Sequence, residues 1–204
     1  NVRHRPQVTA MAAAAKHRNS IIASAIRLFR QRGYAATGLN DILKHSGAPK
    51  GSLYHYFPGG KEQLGEEAVV VAASVVTQTL AELRAKHASA ADMLRGYGQL
   101  LAGWMTQAEF AEGCPIATTL LETTPKSQPL ALAGQQAFAC WRGVFVAQLQ
   151  DDGVAAERAQ RWAQLMIITV EGAMLMARVQ ASALPITQAC DDLAVLIETT
   201  DPAR

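Results

Sequence analysis

The chain has 204 residues, 50% of them hydrophobic and 18% charged, with a formal net charge of +2. That apolar supply excludes a globally disordered chain, and the length suits one generous domain or a small one joined to a medium one. The 3 cysteines are widely spaced with no C-x-x-C pair, which argues against a disulfide framework or zinc site and fits a reducing cytoplasm.

The small net charge hides an asymmetry. Residues 1–62 hold ten Lys or Arg against two acids, a net +8, whereas residues 63–204 hold nine against fifteen, a net −6. A basic head on an acidic body is the charge pattern of a nucleic-acid-binding chain. Residues 1–15 carry Arg3, Arg5 and an alanine run but no apolar core of signal-peptide length, and they read as a flexible arm.

Residues 16–62 read as three short helices. The first spans Arg18 to Arg32, with Ile22, Ala25, Ile26 and Phe29 at i, i+3, i+4 and i+7 on one apolar stripe. Gly33 stops it, and Thr37 offers a hydroxyl cap for a second helix, Leu39 to Ser46, with Leu39, Ile42 and Leu43 inward. Gly47 supplies a tight turn and Pro49 opens a third helix, Pro49 to Tyr56. Residues 37–56 therefore read as a helix-turn-helix whose last helix enters the major groove. Lys50, Gly51 and Ser52 lie in its first turn, where exposed amides, a cation and a hydroxyl suit phosphates and base edges. Tyr54 and His55 sit on a face distinct from the inward Leu53 and Phe57, and Lys61 follows the loop 58–60 at the next helix start, another phosphate-type position.

These residues resemble the TetR family of bacterial transcriptional regulators. The resemblance rests on A-x-x-L-F-x-x-x-G-Y from Ala25 to Tyr34, on Thr37, on G-x-x-K-G-S-L-Y-H-Y-F from Gly47 to Phe57, and on K-E-x-L at Lys61. It implies an all-α fold, with a helix-turn-helix head over residues 16–62 and a helical ligand-binding and dimerisation body over residues 63–204. Carried onto this chain, the DNA-binding set is Thr37, Pro49, Lys50, Gly51, Ser52, Tyr54, His55, Tyr56 and Lys61. Two positions depart from the family pattern. Gly38 stands where Ser or Thr is usual, and Ile42-Leu43 where Ile-Ala is common.

The body reads as further helices. One long helix runs from Lys61 to about Ala88, with Leu64, Ala68, Val71, Val75 and Leu83 inward, and another from Ala91 to Thr106. No run of about 18 uninterrupted apolar residues appears, so no membrane span is expected. Gly113-Cys114-Pro115 forms a loop, with Pro115 opening the next helix and Pro125 closing it. The phrase G-C-P-I-A-x-x-x-L-E and the P-G-G-K-E at Pro58 resemble the branch of the family that includes the LmrA/YxaF-like regulators. Cys114 reads as a buried structural cysteine, since nothing nearby supplies a resolving thiol.

Helices follow over 130–150, 156–181 and 186–199. In the helix at 156–181, Arg161, Gln164, Glu171 and Arg178 fall near one seven-residue spacing, while apolar residues take most of the remaining circumference. Such a helix must be buried on several sides, which favours a partner subunit. The family pairs its last two long helices with their copies, so a homodimer through 156–181 and 186–199 is expected, with two recognition helices ~34–36 Å apart on a palindromic operator in double-stranded DNA.

The chain has no G-x-S-x-G, Walker loop or H-E-x-x-H, and His87 is the sole histidine beyond residue 55. No catalytic residues, metal site or cofactor are therefore expected. Trp104, Met105, Phe110, Trp141, Phe145, Met166 and Met174 read either as plain core or as the lining of an apolar pocket. The resemblance implies a small, largely apolar effector there, with Glu171 or Gln164 orienting it and ligand and DNA opposing one another. Repression is the family's usual output. The rival readings are an architectural DNA-binding protein without a ligand, or a helical enzyme, which leaves the basic head unexplained.

Overall fold

The computed structural model describes residues 5–200, with side chains from residue 16 onward. The described residues form α1 (Arg5–Arg32), α2 (Leu39–Ser46), α3 (Ser52–Tyr56), α4 (Gly60–Lys86), α5 (Ala90–Gln107), α6 (Ala117–Thr123), α7 (Gln128–Asp151), α8 (Ala156–Gln180) and α9 (Leu184–Thr200). The expected all-α class holds.

The head closes around α1. Its residues Ile21, Ala25, Leu28 and Phe29 repeat at helical spacing and bury against Ile42 of α2, Leu53 of α3, Phe57 and Leu64 of α4. Each Ile, Leu or Phe side chain so buried contributes ~1.5–3 kcal/mol, enough in sum to order a small trio of helices. Two polar ties add register: Ser20 Oγ donates to the Ser46 carbonyl at 2.7 Å, and His45 Nδ1 lies 2.9 Å from Ser24 Oγ. Gly47 ends α2 in the left-handed region, φ 66°, its N–H bonded to the Leu43 carbonyl, as a glycine C-cap requires.

Several boundaries and one cap differ from the sequence reading. α1 starts at Arg5, so residues 5–15, expected as a flexible arm, are its first turns, while residues 1–4 lie outside the described residues. The alanine run there carries high helix propensity, which the arm reading discounted. α3 begins at Ser52, leaving Pro49, Lys50 and Gly51 in the turn before it, where the Ser52 N–H bonds the Pro49 carbonyl at 2.9 Å. Thr37 does not cap α2. The cap residue is Gly38, whose N–H donates to the Asp41 carboxylate at 3.2 Å. Pro115 sits in a turn and α6 starts two residues later, at Ala117.

In the body, α4 packs on α7, α5 on α9, and α8 between α7 and α9. The inward face of α4 is Val69, Ala72, Ala73, Val76 and Leu80; Val71 and Val75, expected inward, are exposed. Residues 68–76 are apolar nearly all round except Ser74, so helical periodicity alone could not set the phase. By length and composition α4 and α8 are each apolar enough to cross a membrane, with mean hydropathy 1.3 over an 18-residue window. Uninterrupted apolar length, the criterion applied to the sequence, missed both. Each contributes a buried face to the helical bundle.

Candidate nucleic-acid interface and body cavity

The outer side of the head carries the groove-reading candidates. Leu53 and Phe57 point wholly inward, so the short helix between them turns Tyr54, 66% exposed, and His55 to solvent. The His55 ring stacks edge-on against Tyr56 at 4.9 Å, which holds both rings at the end of α3. Lys50, Pro49 and Gly51 are exposed in the preceding turn, and Ser52 is half-buried. These residues follow one another through the turn and α3, and Lys44 adds an exposed cation at the end of α2.

Lys61 stands apart from that set in character. Its ammonium lies 4.4 Å from the Tyr34 ring centroid and donates to the Ala35 carbonyl at 3.4 Å. Burial lowers its pKa, and the charge of Glu122 opposes that. Tyr34 is thus a positioning residue that the sequence reading left within a motif without a role. Arg18 is a second omission: it ion-pairs with Glu67 and lies 5.7 Å over the Phe57 ring, bracing α1 against α4.

Thr37 corrects the expected contact set. It is fully buried, and its hydroxyl donates to the Gly33 carbonyl at 2.7 Å and reaches the Leu28 carbonyl at 3.4 Å. A side chain with no exposed surface cannot reach a phosphate; it locks the connection from α1 to α2 instead.

Head and body meet at the loop between α5 and α6. Arg30 Nε donates to the Gly113 carbonyl at 3.1 Å and its guanidinium pairs with Glu112 at 3.2 Å. Gln31 also donates to Glu112, at 3.0 Å, while Arg178 of α8 donates to the Gln31 carbonyl at 3.4 Å. Glu122 of α6 accepts from the Ala35 N–H at 2.5 Å. Gly33, at φ 84°, leaves room for that carboxylate, since a Cβ there would meet Glu122 Oε1 at 2.1 Å.

Within the body, Trp141, Phe145 and Glu171 converge on a cavity with Leu80, Tyr97, Ile167 and Val170. It holds about 10 Å³, roughly the room of one water. Trp141 donates its indole N–H to the Ala73 carbonyl at 3.1 Å, leaving its ring as an apolar wall. The Tyr97 and Phe145 rings are 6.3 Å apart. The other expected lining residues fall elsewhere. Trp104 is 39% exposed on the outside of α5, Phe110 is half-buried in the loop after it, and Met166 and Met174 are buried core. Gln164 accepts from Arg142 at 3.1 Å on the exterior. Tyr97, not proposed from the sequence, was legible there only as one apolar position among several on α5.

Burial raises the pKa of Glu171, and the neighbouring Cys114 thiol opposes that. Burial, then the nearby Glu171 charge, pushes the Cys114 thiol well above its ordinary value, so it is no ready thiolate.

Two family descriptions match the chain. Residues 21–68 match "Bacterial regulatory proteins, tetR family" and residues 90–192 match "Transcriptional regulator LmrA/YxaF-like, C-terminal domain". The chain is 33% identical to the uncharacterized HTH-type transcriptional regulator YxaF of Bacillus subtilis (strain 168), over 88% of this chain and 94% of YxaF. It is 36% identical to the HTH-type transcriptional regulator LmrA of the same organism, over 83% of this chain and 90% of LmrA. The fold superposes on a TetR transcriptional regulator from Chloroflexus aurantiacus J-10-FL with a TM-score of 0.77 and 28% identity, covering 91% of this chain and 96% of that one. A helix-turn-helix head with an exposed Tyr54–His55 face, joined to an LmrA/YxaF-like helical body, makes this chain a DNA-binding transcriptional regulator of the TetR family and not an enzyme.

Proposed function

We propose that the protein is a ligand-responsive repressor that binds a palindromic operator in the cytoplasm as a homodimer and leaves it when a small, largely apolar effector enters the body. The observation that carries this reading is the exposed apolar surface on α8 and α9. Ile168, Leu175, Met176 and Val179 of α8, with Val195 and Leu196 of α9, are all at least 45% exposed. A contiguous apolar face of that kind is the signature of a buried interface. Pairing it with its copy gives a two-fold dimer with two heads.

In that dimer Lys50, Gly51, Ser52, Tyr54 and His55 meet one half-site, and Lys61 and Tyr56 meet the flanking backbone. Half-sites one helical turn apart, ~34–36 Å, set the geometry that effector binding disrupts. The lining of Trp141, Phe145, Tyr97 and Glu171 is where the effector binds.

The test is fluorescence anisotropy on the DNA upstream of the protein's own gene, with sedimentation to fix the oligomeric state. Expected are a dimer, affinity well above that for random DNA, and steep weakening with salt. A monomer, or binding that never exceeds that to random DNA from a genome-wide selection, would remove the reading. Ile168→Glu with Leu175→Glu should give a monomer that has lost operator affinity.

A further inference from the structure

The cavity in the body has an unusual balance of charge. Its lining pairs one carboxylate, Glu171, with three aromatic rings, Tyr97, Trp141 and Phe145, and holds no lysine or arginine. Among the described residues no ion pair reaches Glu171. The polar neighbour that the carboxylate feels is instead a thiol, Cys114, which is a weak donor. A half-buried anion without a cationic partner is destabilising, and a positive charge arriving beside it relieves that cost. Aromatic faces favour the same kind of guest, because their negative π-clouds attract cations most strongly where water is excluded. Trp141 presents its ring rather than its N–H, which is already taken by Ala73.

We infer that the effector is an apolar organic cation whose charged head lies against Glu171 and whose hydrocarbon part spreads over Trp141, Phe145 and Tyr97. This rests on the effector reading above and specifies its chemistry. The cavity holds about 10 Å³, so the rings must part to admit a guest, and affinity is diminished by the work of opening.

The same carboxylate connects the guest to the head. A cationic head group beside Glu171 also arrives beside Cys114, whose thiol feels the Glu171 charge. Cys114 follows Gly113, and Gly113 is bonded in both directions to Arg30 of α1, with Arg30 Nε to Gly113 O at 3.1 Å and Gly113 N to Arg30 O at 3.2 Å. Glu109 and Phe110 in the same loop take left-handed backbone angles, φ 50° and 58°, strained for residues with side chains. A guest that displaces Cys114 moves a loop that already carries strain and that holds the head in place.

The experiment is calorimetric titration of the full chain with benzyltrimethylammonium and with its uncharged carbon isostere, on wild type and Glu171→Gln. Circular dichroism shows that the variant is folded. Operator anisotropy is followed in parallel with both compounds and with a panel of neutral apolar molecules. Expected is binding of the cation at least roughly tenfold tighter than the isostere, about 1.4 kcal/mol. That preference should disappear in Glu171→Gln. Equal binding of cation and isostere, or failure of both to bind, overturns the inference. If a neutral molecule releases DNA and the cation does not, the inference fails while the effector reading stands. If no molecule of either class releases DNA, both fail.

Discussion

Arg30 and Gly113 are bonded to each other twice, the arginine side chain to the glycine carbonyl at 3.1 Å and the glycine N–H to the arginine carbonyl at 3.2 Å. One residue is in the first helix of the head and the other in the loop between α5 and α6. Residues 83 positions apart in sequence thus form a two-way tie between the head and the body.

Replacing Arg30 by alanine removes the side-chain half of this tie and the Glu112 pair, while the Gly113 N–H bond survives. Glu112, whose side chain is only 16% exposed, keeps Gln31 as a partner. The expected loss is about 1–2 kcal/mol, read as a lower urea midpoint with unchanged slope. A shift below ~0.3 kcal/mol would show the contact idle.

Lys50, Tyr54 and Thr37 should separate cleanly in DNA-binding measurements. Lys50→Ala should weaken binding to all sequences alike and reduce the salt slope by ~0.9. Tyr54→Ala should leave the slope and narrow the gap between operator and random DNA. Thr37→Val should leave slope and specificity alone and lower stability by about 1–2 kcal/mol, since its hydroxyl serves buried carbonyls. A slope change in Thr37→Val would restore it to the contact set.

Gly33, which ends α1, and Gly47, which ends α2, offer a controlled comparison. Both are left-handed, but a Cβ on Gly47 meets nothing within 4 Å whereas one on Gly33 meets Glu122 at 2.1 Å. Gly47→Ala should therefore cost about 1 kcal/mol, the backbone penalty alone. Gly33→Ala should cost more and displace Glu122 from the Ala35 N–H. Equal losses in thermal unfolding would mean that Glu122 swings away freely.

Stability should depend on pH through Glu171. Burial raises its pKa in the folded chain above that in the unfolded one. The folded state then favours the protonated form, so this contribution is present at acid pH and is lost as pH rises through the raised value. Glu171→Gln removes the dependence. The variant should gain in melting temperature relative to wild type at pH 7 and lose that gain below the ordinary carboxylate range. The same difference at both pH values would assign the effect to packing.

Much of the head is legible in the sequence, because its information is local. A glycine after a helical stripe, a Gly-Pro turn and alternating inward and outward residues around Leu53 and Phe57 each act within a few positions. The order and approximate extent of the body helices were readable for the same reason. Which way α4 faces was not: its central run is apolar nearly all round, and only the packing of α7 chooses Val69 and Val76 over Val71 and Val75. Thr37 shows the same limit at the scale of one hydroxyl. Its type marks it as a cap or a contact, but the carbonyls of Leu28 and Gly33 arrive first. The cavity is wholly a tertiary product. Tyr97, Trp141 and Glu171 come from α5, α7 and α8, and no spacing within one helix brings them together. Local periodicity writes the helices into the sequence, whereas the neighbours that close a pocket or occupy a hydroxyl come from distant parts of the chain and exist only once it is folded.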